Sequence, residues 1–299
     1  MYKPQSLTSD IKAPTKELPA RTALGGMNTT LGIWSSYYYD FSPEDAVEEF
    51  MKNGIYACEL SDEHGQMLLA RSEDVVATGR AFASFLRERG FSIPQGHLCL
   101  GLRLCSDTDA VNTLLPWIDL YEAIGIRNMV LHCDVSLPSE WSFEKKAEKN
   151  IERLRALAEH VKDRDVMICL ENLRLCAFTE RIEELLYIID RIESDRFGIC
   201  LDTGHLNLAS KDQRGFILAA GKRLRALHIS DNDGTSDQHL MPFSGGEVDF
   251  CGVVRALREI GYTGLFNLEI PGENHIPSTL RAAKIRYIQD CYDYLMHCG

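Results

Sequence analysis

The sequence contains no run of eighteen apolar residues, so no membrane-spanning helix is expected. No G-x-G-x-x-G or G-x-x-x-x-G-K-[ST] element follows a strand-like run, which leaves dinucleotide and nucleoside-triphosphate chemistry without a phosphate cradle. Positive charge is in deficit. The chain has 32 Lys+Arg against 44 Asp+Glu, a net −12, and this argues against broad nucleic-acid binding, whose affinity comes mainly from cations on phosphates. None of the ten cysteines forms a C-x-x-C pair, and Cys58, Cys99, Cys133, Cys169 and Cys200 lie inside apolar runs as small hydrophobes do. A reduced, cytoplasmic protein is expected rather than a disulfide scaffold. The opening MYKPQSLTSDIKAPTKELPARTALGG has no apolar signal core and reads, with the next two residues, as a polar arm over 1–28.

What is present is ordinary for a folded domain: 299 residues, 45% hydrophobic and 25% charged. Short apolar runs alternate with longer amphipathic ones. Strand-like runs fall at 29–36, 56–61, 92–99, 128–134, 166–172, 197–205, 224–231 and 264–272. Helices are expected at 42–54, 75–90, 110–125, 142–164, 181–192, 214–223, 249–261 and 277–296. The first shows clear punctuation, with Ser42 before Pro43 and Gly54 past the end. The apolar runs are continuous rather than alternating, as in parallel strands covered on both faces. Eight strand–helix pairs predict an α/β protein with a (β/α)8 TIM barrel as a single domain over 29–299. A doubly wound open sheet is the alternative.

Such barrels build their active sites at the C-terminal ends of the strands. Those ends carry Glu59, His97, His132, Glu171, Asp202 with His205, His228, and Glu269, while the loop after the seventh strand adds Asp237 and His239. Five of the nine histidines fall in this set. Histidines mixed with carboxylates are what Zn, Mn, Fe and Co sites are made of. A purely polar network would crowd unpaired acids together, which is costly without a cation. Glu171, Asp202, His228 and Glu269, from neighbouring strands, are the expected ligands of a divalent ion (Mn, Zn, Co or Mg). His97, His132, His205, Asp237 and His239 are candidates for substrate contact or further metal. Glu59 and Arg174 are candidate substrate contacts. Asn172 is expected to orient its neighbours, Asp231 and Asp233 to shape a turn, and His64, His160, His275 and His297 to face solvent. Arg103 and Arg174 are the cations placed near the mouth. Lys222, Arg223 and Arg225 precede the seventh strand and belong to the opposite face.

The stretches LGIWSSYYYDFSPEDAVEEFMKNGIYACELS, ICLENL, GICLDTGH, ALHISDNDGTSDQHLMPFSGGEVDF and GYTGLFNLEIPG carry a resemblance. Across about 29–296 the chain resembles the xylose isomerase-like TIM-barrel superfamily of sugar isomerases and epimerases. In its ketose 3-epimerase branch, the residues matching Glu171, Asp202, His228 and Glu269 hold one Mn-like ion. The two glutamates there act as acid and base, and the histidine matching His205 touches substrate. The resemblance therefore implies a metal-dependent isomerase acting on a sugar or sugar phosphate, in a branch whose barrels are often dimers or tetramers. The superfamily also includes three-zinc apurinic endonucleases of the endonuclease IV type. Their ligand pattern matches His97, His132, Glu171, Asp202, His205, His228, Asp237, His239 and Glu269. The N-terminal section resembles the sugar branch, and the mouth lacks a basic rim for DNA. An Arg that often follows the strand-7 motif in ketose epimerases is replaced here by Asp237-Gln238-His239. A third reading is a sugar-binding barrel without catalysis.

Overall fold

The computed structural model describes residues 27–174, 178–272 and 276–298. Eight strands form one parallel sheet: β1 (Thr30–Trp34), β2 (Ala57–Leu60), β3 (Ser92–His97), β4 (Asn128–Leu131), β5 (Met167–Glu171), β6 (Phe197–Asp202), β7 (Leu224–His228) and β8 (Leu265–Leu268). The strand order runs β7-β6-β5-β4-β3-β2-β1-β8. One residue beyond β7, the Ile229 amide donates to the Asn267 carbonyl (2.8 Å), and the Glu269 amide donates back to Ile229 (3.1 Å). These bonds close the sheet into the expected barrel.

Helices cover the outside: α1 (Pro43–Lys52), α2 (Asp62–Ala70), α3 (Val75–Arg89), α4 (Ala110–Ile124), α5 (Phe143–Val161), α6 (Ile182–Ile192), α7 (Thr203–Leu208), α8 (Gln213–Ala220), α9 (Phe250–Glu259) and α10 (Ser278–Met296). The punctuation is local chemistry. The Ser42 hydroxyl accepts the Asp45 amide at 3.1 Å, and the Asp74 carboxylate accepts the Val76 and Ala77 amides at 3.0 Å. Gly90 and Gly125, with φ of +64° and +103°, end α3 and α4 in a conformation that disfavours side chains.

The strand period of two builds the site's foundation. Val130, Cys169, Cys200 and Ala226 form a small fully buried cluster inside the barrel. Each lies two residues before a strand-end group: His132, Glu171, Asp202 and His228 respectively. Small apolar side chains thus fill the barrel beneath the polar ones. The larger core packs the outer sheet face against the helices.

Two expectations need correction. Cys251 and Cys298 are joined as a disulfide with Cα atoms 5.5 Å apart, although spacing alone gave no reason to pair them. The other described cysteines are free. Two short helices, α2 and α7, were not anticipated, and both follow strands directly at the barrel mouth. Residues 1–26 of the 1–28 arm, and His275, lie outside the described residues. Among the described residues, no helix is long and apolar enough to cross a membrane.

Candidate metal centre at the barrel mouth

Glu171, at the end of β5, is the hub. Its Oε2 faces His132 Nε2 at 3.0 Å and His97 Nε2 at 3.5 Å. Its Oε1 faces His228 Nδ1 at 3.2 Å and His205 Nδ1 at 3.3 Å. From β8, Glu269 Oε2 approaches the same His228 Nδ1 at 3.2 Å. One atom each from Glu171, Asp202, His228 and Glu269 lies within 4.8 Å of all the others. His97, His132 and Glu171 form a second such group, sharing the hub.

The imidazoles are oriented from behind. His228 Nε2 donates to Glu59 at 3.0 Å, His97 Nδ1 to the Leu98 carbonyl at 2.6 Å, and His239 Nδ1 to the Glu269 carbonyl at 2.9 Å. His205 Nδ1 donates to the Asn172 carbonyl at 3.0 Å. Each ring thereby fixes one tautomer and turns its other nitrogen inward, the usual arrangement of histidine ligands. Asp202 Oδ2, His228 Nδ1 and Glu269 Oε2 are buried without a hydrogen-bond partner. Unpartnered acceptors converging in a buried site are expensive unless a cation or proton lies among them. The donor set fits a divalent metal.

A third cluster lies beside this one. Asp237 Oδ2 is 3.4 Å from His205 Nε2 and 3.2 Å from His239 Nε2, and it accepts Arg174 Nε at 3.0 Å. Asp237 Oδ1 is buried and unpartnered. His239 holds a left-handed backbone, with φ +47°, that aims its ring at Asp237.

The electrostatics follow from this crowding. Burial works against ionising Glu171, but His228, His132 and His205 overcome it and hold the carboxyl well below the usual range. Burial pushes Glu269 up to about 7, with His228 opposing and Asp202 reinforcing. Burial also opposes charge on the imidazoles. Even so, Asp202, Asp237 and Glu171 carry His205 well above the ordinary value, and Cys200, Glu269, Glu59 and Glu171 do the same for His228. His239 rises to about 10, chiefly because Asp237 outweighs its burial. Without a cation, protons are drawn onto the inward nitrogens. Metal and proton compete for these atoms.

Most strand-end residues named from the sequence meet here. Glu59, expected as a substrate contact, is fully buried behind His228 and accepts from Gln95 Nε2 at 2.6 Å and Asn267 Nδ2 at 2.5 Å. Sequence reasoning missed Gln95 and Asn267. Their signal was a polar side chain in the inward phase, two residues before His97 and Glu269. Asn172 brackets Asp202, accepting its amide at 2.8 Å and donating to its carbonyl at 3.0 Å. Arg174 is exposed at the rim, held by Asp237. Arg103 is exposed as well. Asp231 ties the loop after β7 through the Asn232 and Val248 amides, and Asp233 caps a turn at Thr235. His64 is not solvent-facing: it is fully buried, its Nδ1 2.8 Å from Ser35 Oγ and its Nε2 3.3 Å from the Phe41 carbonyl. His160 pairs with Asp119 at 2.8 Å, and His297 is exposed.

A model of the xylose isomerase-like TIM barrel family matches residues 47–291. The chain belongs to that family. Among curated relatives, an L-ribulose 3-epimerase of Methylomonas sp. (strain DH-1) is 26% identical over 189 residues, 58% of this chain and 64% of the relative. A probable endonuclease 4 of Mesomycoplasma hyopneumoniae (strain J) is 33% identical over 110 residues, 34% of this chain and 37% of the relative. The matched stretch spans about half the length of the first curated relatives, 55% and 47%. A D-psicose 3-epimerase structure from Clostridium cellulolyticum H10 superposes with a TM-score of 0.76, covering 90% of this chain and all of that one (100%) at 17% identity. That likeness shows the family's barrel.

Proposed function

We propose that this family member is a metal-dependent isomerase, an epimerase or aldose–ketose isomerase acting on a small sugar or sugar phosphate. The observation that carries the reading is the pair Glu171 and Glu269. They flank His228 Nδ1 at 3.2 Å each, and their surroundings drive their proton affinities apart. Two titratable groups pushed in opposite directions in one pocket are the usual mark of a base and an acid. Glu171, kept as carboxylate, accepts the proton from the carbon beside the sugar carbonyl. Glu269 returns one. Two separate carboxylates suit epimerisation; one carboxylate serving both carbons gives isomerisation. A divalent ion held by Glu171, Asp202, His228 and Glu269 would supply Lewis-acid polarisation of the carbonyl. His97, His132, His205 and Arg174 remain for the substrate's hydroxyls or phosphate.

The family name, the epimerase relatives and the barrel's likeness to epimerase structures support this reading. One observation favours a second. The three overlapping clusters, including Asp237 with His205 and His239, also suit a three-zinc phosphoesterase acting on apurinic DNA. Metal content per chain, measured on protein purified without added metal or chelator and followed by a ketose panel, separates them. About one ion with ketose turnover supports the isomerase. Two or three zinc ions with apurinic-site cleavage and no ketose turnover replaces it.

A further inference from the structure

Directly beneath the strand-end carboxylates lies a group of different chemistry. Cys200 is on β6, two residues before Asp202, so its side chain enters the barrel in the same phase. It is fully buried. Its Sγ and one ligand atom each from Glu171 and His228 all lie within 4.8 Å of one another. Glu171 and His228 therefore belong to two groups at once. With Asp202 and Glu269 they make an oxygen-rich position, and with Cys200 they make one that includes sulfur. The state of His228 is an independent sign of a ligand. Its Nε2 is held by Glu59 at 3.0 Å, while its Nδ1 is buried without a hydrogen-bond partner. That leaves Nδ1 as the nitrogen open to a metal.

A buried cysteine in this layer does not produce such a group by itself. Cys169 is equally buried, lies two residues before Glu171 and shares the same small cluster, yet it joins no ligand group among the described residues. The spacing at Cys200 also suits a metal. Zinc holds sulfur at about 2.3 Å and nitrogen at about 2.0–2.1 Å, which places the two about 3.6 Å apart in a tetrahedron. Ions differ in what they gain from sulfur. Magnesium and manganese favour oxygen donors, whereas thiolate selects softer ions such as zinc. A thiol among apolar neighbours keeps its proton until a metal takes that proton's place. As the sulfur–metal bond forms, the proton leaves to the buffer. A hard ion gains too little from sulfur to drive that exchange.

We infer that Cys200 is a further metal ligand, acting with Glu171 and His228 beneath the carboxylate position and turning the centre toward thiophilic ions, zinc above all. The inference rests on the reading that the barrel mouth holds a divalent metal.

Cobalt(II), the spectroscopic stand-in for zinc, tests it on the full chain after chelator stripping. Elemental analysis gives the cobalt bound. The near-ultraviolet spectrum shows whether sulfur holds it, because thiolate-to-cobalt charge transfer is absent from sites made of nitrogen and oxygen alone. The band should appear on loading, vanish in Cys200→Ala and persist in Cys169→Ala. Alanine suits the layer, since Ala226, the β7 partner of Cys200, already fills it with that side chain. Cys200→Ser, closer in volume, should lose the band as well. Cys200→Ala should also weaken zinc by about tenfold or more, at least what losing an orienting partner costs, and leave manganese affinity unchanged. Cobalt bound without the band, a band that survives in Cys200→Ala, or an unchanged zinc affinity overturns the role of Cys200 and leaves the metal centre standing. No cobalt bound at all overturns both.

Discussion

At the scale of single residues, the site depends on side chains that never reach its cavity. Glu59 is buried and holds His228 from behind while accepting from Gln95 and Asn267. Glu59→Ala would leave His228 and Asn267 without their buried acceptor and Gln95 with only the Leu227 carbonyl, at a cost of roughly 3–5 kcal/mol. The milder Glu59→Gln should keep the fold yet weaken metal binding about 10–100-fold, read by chelator competition. Unchanged affinity would mean that His228 needs no brace. His64 gives a pH prediction. Burial lowers its pKa below 6.5 despite the Phe41 carbonyl, so the unfolded chain takes up the proton first as pH falls. Its contribution to stability is therefore full above about pH 6.5, is lost on acidification down to the folded pKa, and is constant below that. Thermal midpoints across this window should fall less steeply for His64→Gln than for the wild type. Parallel curves would remove His64 from the account. Both residues show a limit of sequence reading: Glu59 and His64 have the types expected of site and surface groups, and only packing reveals their places.

At the scale of elements, the eight strands and their covering helices were legible because continuous apolar runs and capped amphipathic runs differ in period. The strand-end set was legible for the same reason, since a barrel's phase fixes which residue arrives at the mouth. Helices α2 and α7 were not. Each is shorter than ten residues and begins directly at a strand end, where propensity is overruled by caps from Ser61 and Asp202. Gly65 shows what fixes α2 in place. A Cβ there would collide with the Tyr121 hydroxyl and the Trp117 ring of α4. Gly65→Ala should destabilise by about 1–3 kcal/mol through overpacking, measured by urea unfolding. A neutral effect would show that α4 yields easily. The disulfide was illegible because Cys251 and Cys298, 47 residues apart, meet only through the packing of α10 on α9.

At the scale of the whole molecule, a net charge of −12 and an acid-rich mouth make the barrel dependent on what neutralises its centre. Titrating metal into chelator-stripped protein at neutral pH should release protons from His228, whose inward nitrogen the carboxylates keep protonated, and from Glu269, which burial leaves partly protonated. Stability should rise with metal, by about 2.7 kcal/mol at a hundredfold excess over Kd, and the melting temperature with it. Calorimetry in buffers of different ionisation enthalpy counts those protons, and a count of zero would contradict the charge assignment. In the proposed reaction Glu171 and Glu269 move a proton at carbon. Its most direct test is turnover of a ketose in D2O by the metal-loaded protein, followed by NMR. Deuterium is expected at the carbon beside the carbonyl, with loss of about 100–10,000-fold in rate for Glu269→Gln. Turnover without deuterium uptake would contradict it, and so would full activity in Glu269→Gln.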